Sequence, residues 1–164
     1  MNRILVIGYG NPYRGDDGFG IRAAEQFEGM NTDSGVQVVA AQELRPEFAE
    51  MASRVDLLIF LDASTQGQPG TVRLTDVALA EGATGLFSHD LTPERLLAAA
   101  QVIYGCRPHG LLISVTGEDF GIGAQLSPVV AASLPSVFQR LQAIIADARK
   151  EPAKANAVAA GVGR

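Results

Sequence analysis

The chain has 164 residues, of which 47% are apolar and 19% are charged, a composition typical of one globular domain and not of a disordered protein. The net charge is −5 and the only lysines are Lys150 and Lys154, so the chain offers no basic surface for nucleic acid. A single cysteine, Cys106, excludes an internal disulfide. No apolar run reaches the roughly 20 residues of a membrane span, and we expect a cytoplasmic protein without membrane insertion.

The first part of the chain alternates predicted strands with predicted helices. Apolar runs predict strands at 4–7, 36–40 and 57–61, and helical spacing predicts helices over 19–27 and 46–52. Short continuous apolar runs indicate strands that are buried on both faces. A strand, a helix and a strand in succession are typical of a βαβ unit with parallel strands.

The later part of the chain continues this pattern. We predict an edge strand at 71–74, a helix beginning at Thr92-Pro93, a buried strand at 111–116 and a long helix beginning at Ser127-Pro128, since a hydroxyl residue before proline is a common helix start. The long helix carries an apolar stripe, with Pro135 as a predicted kink: Val130, Leu134, Val137, Leu141, Ile144 and Ala148. The predicted fold is α/β, a three-layer sandwich with a twisted, mostly parallel (mixed) sheet between helices. Residues 1–148 form one domain and 149–164 a flexible tail.

Three acidic residues follow two of the predicted strands. Asp16 and Asp17 come after the first strand, and Asp62 ends the strand at 57–61. Because the carboxyl ends of neighbouring parallel strands meet at one crevice, we expect these carboxylates to lie close together. A structural alternative stays open for each, because Asp16 and Asp17 could cap a helix and Asp62 could stabilise a turn.

A histidine extends this cluster into a candidate metal site. His89 precedes the helix that begins at Thr92-Pro93, although a surface histidine is the simpler alternative. Two carboxylates and an imidazole suit zinc, nickel, manganese or iron(II), and three protein ligands leave coordination open. Cys106 and His109 also have metal-pair spacing, but Arg107 and Pro108 between them favour a turn. Tyr13 stands where a dinucleotide-binding loop requires glycine or alanine, which argues against a nucleotide cofactor.

The ordered motifs resemble one known family. Four segments carry the likeness: Ile-Leu-Val-Ile-Gly-Tyr-Gly-Asn at 4–11, Asp-Asp-Gly-Phe-Gly at 16–20, Leu-Ile-Phe-Leu-Asp-Ala at 58–63, and Ser-His-Asp at 88–90. Together with 118–121 and 126–128, they resemble the nickel-iron hydrogenase maturation endopeptidases. The segment containing Glu43 and Glu47 is similar to a motif found in part of that family, with no role that we can assign.

The resemblance implies a cytoplasmic, metal-dependent endopeptidase. Its substrate would be the precursor of a hydrogenase large subunit, which loses a short C-terminal extension once nickel has been inserted. Carried over by motif, the metal-contacting residues are Asp17, Asp62 and His89. Our hypothesis is that the metal that completes this trio is the nickel already present in the substrate. Asp16 joins them as a candidate catalytic residue, because a spare carboxylate could act as general base if the ion does not activate water.

Two other functions use a similar set of residues. A non-catalytic nickel-binding escort for the same precursor would need the same three ligands. A phosphoryl receiver domain also has acidic residues after its first and third strands, but it requires a lysine after a late strand, and this chain has none before Lys150.

Overall fold

The computed structural model describes residues 2–80 and 90–152, which form a five-stranded sheet with four helices. The strands are β1 (Ile4–Tyr9), β2 (Val36–Ala41), β3 (Leu57–Ser64), β4 (Val72–Asp76) and β5 (His109–Thr116). The helices are α1 (Phe19–Met30), α2 (Phe48–Ser53), α3 (Pro93–Tyr104) and α4 (Pro128–Lys150), and a short 3-10 helix (Gly15–Gly18) precedes α1. The strand order is β2-β1-β3-β5-β4, with only β4 antiparallel to its neighbour.

Apolar side chains cover both faces of this sheet. In β1, Leu5 and Ile7 point into a core that is completed by α2 and α3, whereas Ile4 and Val6 point into a second core completed by α1 and α4. In the central strands β1 and β3, apolar side chains therefore meet helices on both faces, which explains their unbroken apolar runs. The predicted α/β architecture, with helices on both faces of a mixed sheet, is confirmed.

The predicted helix starts have different outcomes. The Thr92 hydroxyl accepts a hydrogen bond from the Arg95 N–H at 3.3 Å and caps α3 as expected. Ser127 also precedes its helix, but its side chain makes no capping bond. Its hydroxyl instead donates to the carboxylate of Asp16 at 2.8 Å, because a buried charge more than a hundred residues away competes for it.

Helix α4 is longer and more apolar than the continuous apolar runs of the sequence indicate. By length and composition alone its 23 residues could cross a membrane. One side of the helix packs into the core through five buried side chains: Val130, Leu134, Val137, Leu141 and Ile145. We therefore assign α4 as a core helix of the layered fold. Pro135 lies within it, on the exposed side.

The end of α4 is tied to the beginning of the chain. The Arg149 guanidinium forms an ion pair with Asp33 at 2.8 Å and donates to the Asn2 carbonyl. The Gly35 N–H and this guanidinium lower the pKa of Asp33. Residues 149 and 150 thus belong to α4 and not to the predicted tail, and positions 153–164 of that tail lie outside the described residues.

The closing contact at Arg149 generates a stability prediction. Arg149→Ala removes the half-buried ion pair and the bond to Asn2, so we expect the free energy of unfolding to fall by about 1–2 kcal/mol. The neighbouring Lys150 makes only an exposed ion pair with Asp147. Lys150→Ala should therefore change the free energy of unfolding by less than about 0.5 kcal/mol. Urea denaturation of both variants measures the difference, and equal effects would contradict this assignment.

Candidate active site

The strand order places a crevice at the carboxyl ends of β1 and β3. The chain leaves β1 through α1 and returns as β2 on one side, whereas β3 pairs with β1 on the other side. In open α/β sheets, ligands bind where such connections diverge. The 3-10 helix follows β1 at this point and contacts β3, which brings Asp17 to the same end of the sheet as Asp62.

Asp62 lies inside β3 just beyond its pairing with β1. The last paired residues are Gly8 and Leu61, so Asp62 is the first β3 residue that β1 leaves free. Burial raises the pKa of this carboxyl to about 6, and the charge of Asp17 adds to the rise, while hydrogen bonds from the Tyr9 hydroxyl and the Ala63 backbone oppose it. The two predicted acidic residues therefore interact electrostatically.

Asp17 is held by the loop that leaves β1. Its carboxylate accepts a hydrogen bond from the Asn11 N–H at 2.9 Å. The loop folds tightly here, because Gly10 has φ +142° and a side-chain carbon on it would lie 1.9 Å from the Asp17 carbonyl oxygen. Only glycine fits this approach. Asp17 forms no ion pair within the described parts of the chain, and neither does Asp62.

Asp16 has a different environment from that of its neighbour. It is 0% exposed, and its carboxylate accepts from the N–H groups of Glu118, Asp119 and Ser127 and from the Ser127 hydroxyl, at 2.7–3.0 Å. Burial tends to raise the pKa of Asp16, but these hydrogen bonds outweigh it and lower the pKa. The expected spare carboxylate is thus fully engaged in holding the segment 118–127.

Tyr9 is a site residue that the sequence analysis missed. Its ring lies edge-on against Phe60 at a centroid distance of 6.5 Å, and its hydroxyl bonds to Asp62. Burial raises the pKa of Tyr9, with Asp62, Glu94 and Asp17 adding their negative charge, so the hydroxyl stays protonated and donates. The sequence shows a tyrosine at the end of the first strand, which was the only available signal for this residue. Its partner Asp62 can be identified only from the pairing of β1 with β3.

His89 lies outside the described residues, so its part in the site stays a prediction. Glu94, in the first turn of α3, acts electrostatically on Tyr9, which shows that the start of this helix approaches the crevice. Across residues 2–80 and 90–152, no three histidine, cysteine or acidic side chains come together as a metal site. Glu43 and Glu47 are exposed in the segment after β2.

Cys106 and His109, whose spacing we interpret as a turn and not as a metal pair, make different contacts. The His109 ring nitrogen lies 2.6 Å from the Asp76 carboxylate at the sheet edge, and Cys106 is partly buried without a disulfide. The turn between them begins at Gly105, in the left-handed conformation with φ 71°. The preference for a turn over a metal pair is consistent with this geometry.

Comparison with known proteins gives concordant relatives. The chain is 31% identical over 144 residues to the hydrogenase expression/formation protein HupD of Bradyrhizobium diazoefficiens, covering 83% of this chain and 74% of the relative. It is 30% identical over 152 residues to HupM of Azotobacter chroococcum, covering 84% and 72%. No protein-family model matches the chain. The chain belongs to the hydrogenase expression/formation protein family.

Solved structures show the class of enzyme that this family represents. The hydrogenase maturating endopeptidase HybD of E. coli superposes with a TM-score of 0.71 at 25% identity, over 89% of this chain and 93% of that one. The maturation protease HycI of Thermococcus kodakarensis shares the fold, with a TM-score of 0.72 at 22% identity over 88% and 93%. The family member described here is a hydrogenase maturation peptidase.

The contrast between the adjacent carboxylates generates a stability prediction. Asp16→Asn presents an amide N–H₂ to buried donors, so we expect the free energy of unfolding to fall by about 2–4 kcal/mol at pH 7. Asp17→Asn keeps an acceptor for the Asn11 N–H and should change the free energy of unfolding by less than about 1 kcal/mol.

The pH dependence of this difference is a second readout. Because the folded pKa of Asp16 lies below its usual value of 3.8, its stabilisation is complete above that value and is lost as the pH falls through the folded pKa. Denaturation from pH 7 to pH 2 should therefore show the gap between wild type and Asp16→Asn closing in acid. A gap that did not narrow at all as the pH falls below 3.8 would exclude the charged network as its cause.

The environment of Asp62 generates a spectroscopic prediction. Tyr9→Phe removes a hydrogen bond that favours the carboxylate and should raise the pKa of Asp62 above about 6, whereas Asp17→Asn removes a repelling charge and should lower it. Titration by NMR of protein with carbon-13-labelled aspartate measures both. Shifts of the same sign in the two variants would contradict the proposed geometry.

Proposed function

We propose that this peptidase removes the C-terminal extension of a nickel-loaded hydrogenase large-subunit precursor, with Asp17, Asp62 and His89 contacting the nickel that the substrate carries. The family supports a role in hydrogenase processing. The observation that carries the finer proposal is the meeting of Asp17 and Asp62 at the carboxyl ends of β1 and β3. We assign the activity to the cytoplasm, where a layered α/β fold with one unpaired cysteine suits a reducing environment.

The chemistry of the crevice suits a cation brought by another molecule. The charge of Asp17 helps to raise the pKa of Asp62, and no arginine or lysine of the described residues forms an ion pair with either carboxylate. A divalent cation between them would remove this repulsion. Carboxylate oxygens and an imidazole are suitable ligands for nickel, and they leave coordination positions for ligands from the precursor.

This arrangement would let cleavage report on nickel insertion. A precursor without the ion offers nothing for the two carboxylates to share, so it loses the contacts that bridge the proteins. A difference in binding free energy of about 2.7–4 kcal/mol gives a hundred- to thousandfold preference. One or two ligand contacts are sufficient to supply that difference.

Asp16 and the nickel of the substrate are the two candidates for activating water. Asp16 is buried under four hydrogen bonds, so we propose that it positions the loops and does not accept a proton. The nickel of the substrate, held by Asp17, Asp62 and His89, would supply Lewis acidity toward the scissile carbonyl or water. Tyr9 orients Asp62 through its hydroxyl.

The central prediction is loss of cleavage when a proposed ligand is removed. Asp62→Asn and His89→Ala should each lower kcat/KM for a nickel-loaded precursor by at least about a hundredfold, which is a loss of about 2.7 kcal/mol of transition-state stabilisation. Wild type should cleave the nickel-free precursor slower by a similar factor. Mass spectrometry of the precursor over time gives these rates, because removal of the extension changes its mass.

Matched variants make this result interpretable. His109→Ala changes the chain's other histidine, which pairs with Asp76 away from the crevice, and Asp147→Asn changes an exposed acidic residue on α4. Both should retain wild-type rates. An unchanged precursor mass with wild-type protein, together with stable binding, would favour the non-catalytic nickel escort instead. Equal cleavage of loaded and empty precursor would refute the nickel checkpoint and leave the peptidase intact.

A further inference from the structure

Two large apolar side chains project into solvent from the loops beside the crevice. Ile122 is 89% exposed and Tyr13 is 65% exposed. A single exposed apolar residue is ordinary in a soluble protein. These two belong to different loops that the fold joins, so their exposure is a shared feature of one surface.

A short parallel bridge joins the two loops. The Gly15 N–H donates to the Gly123 carbonyl, and the Gly123 N–H donates to the Tyr13 carbonyl, both at 2.9 Å. This bridge pairs Arg14 with Gly123, so Tyr13 and Ile122 occupy the preceding, matching positions of the two segments. We call these two residues the apolar platform.

Polar contacts between the two loops fix their backbone. The Asp16 N–H donates to the Asp119 carbonyl at 2.8 Å, in addition to the four bonds that the Asp16 carboxylate accepts. The Arg22 guanidinium donates to the carbonyls of Pro12 and Ala124, one in each loop. The backbone that presents Tyr13 and Ile122 is therefore ordered before any partner arrives, which lowers the entropic cost of binding.

The platform lies close to Asp17, one of the proposed ligands. Asn11, whose N–H holds Asp17, and Asp17 itself flank Tyr13 in one loop. Four residues span at most about 14 Å, so Tyr13 lies within that distance of Asp17. A standard protein interface covers about 800 Å² per partner, which corresponds to a radius of about 16 Å. A folded substrate centred on Asp17 therefore reaches Tyr13 of the platform.

We propose that Tyr13 and Ile122 bind an apolar element on the body of the hydrogenase large-subunit precursor, next to the bond that is cut. This inference rests on the proposed function and adds a second recognition element to it. The precursor is favoured over a second copy of this chain because the platform borders the crevice, and a copy seated there would obstruct the substrate. Tyrosine anchors in ordered loops are typical centres of binding energy in protein interfaces.

The test separates binding from chemistry. The double variant Tyr13→Ser/Ile122→Ser should raise KM for the nickel-loaded large-subunit precursor at least tenfold and leave kcat within twofold. The double variant Tyr13→Phe/Ile122→Val, which keeps the surface apolar, should retain the wild-type KM. Val102→Ser is the matched control, because Val102 is also 65% exposed but lies near the end of α3 that leads into β5, at the opposite end of the sheet.

Each outcome decides the proposal. An unchanged KM in the serine double variant, or a loss of kcat with KM unchanged, would overturn it, as would an equal effect of Val102→Ser. A change in oligomeric state on size-exclusion chromatography would assign the platform to self-association and also overturn it. If the double variant unfolds in thermal denaturation, Tyr13→Ser alone should still raise KM at least threefold.

A binding measurement keeps the two proposals distinguishable. Immobilised nickel-loaded precursor and surface plasmon resonance give the dissociation constant without cleavage, and the serine double variant should bind at least tenfold more weakly than wild type. If wild type binds but cuts no precursor, the proposed peptidase reaction fails while this docking surface stands. If wild type cuts the precursor and the platform variants bind as well as wild type, only the docking surface fails.

Discussion

The crevice of this protein depends on one buried charge. A carboxylate out of contact with water is costly unless hydrogen bonds replace its hydration, and Asp16 receives them from three backbone N–H groups and the Ser127 hydroxyl. All four donors belong to the segment 118–127, which is remote in sequence. This segment is therefore bound to the loop after β1, which carries Asp17, by a charge that takes no part in the proposed chemistry.

The neighbouring Asp17 has the same side chain as Asp16 but a different role, because its surroundings differ. The charge of Asp16 stabilises the structure because four hydrogen-bond donors of the segment 118–127 replace its hydration. Asp17 has one backbone donor and contributes to the raised pKa of Asp62. Repulsion of this kind opposes folding slightly, and proteins commonly tolerate such local conflict at functional sites. In the proposed function, the nickel of the substrate resolves the conflict, so the energy is recovered on binding.

The two proposals assign different tasks to adjacent surfaces. Coordination at Asp17, Asp62 and His89 would test whether nickel is present. This test involves only the ion and its few ligand atoms. An apolar contact at Tyr13 and Ile122 would test which protein carries that nickel. Asp17 and Tyr13 lie in the same hydrogen-bonded loop after β1, so ordering this loop fixes one residue of each surface. A rigid loop pair can thus align a precursor tail with the crevice without a large conformational change on binding.

The amino-acid sequence by itself determined the layers of the fold and the set of acidic candidates. Runs such as Ile-Leu-Val-Ile at 4–7 are stable only when both strand faces are covered, and local signals such as Thr92-Pro93 act within a few residues, so both could be inferred from neighbouring positions. The structure alone decided that Asp16 is buried, that Ser127 serves Asp16 instead of capping α4, and that Tyr9 donates to Asp62. These outcomes depend on hydrogen bonds and burial between segments distant in sequence, and such pairings exist only once the sheet has formed.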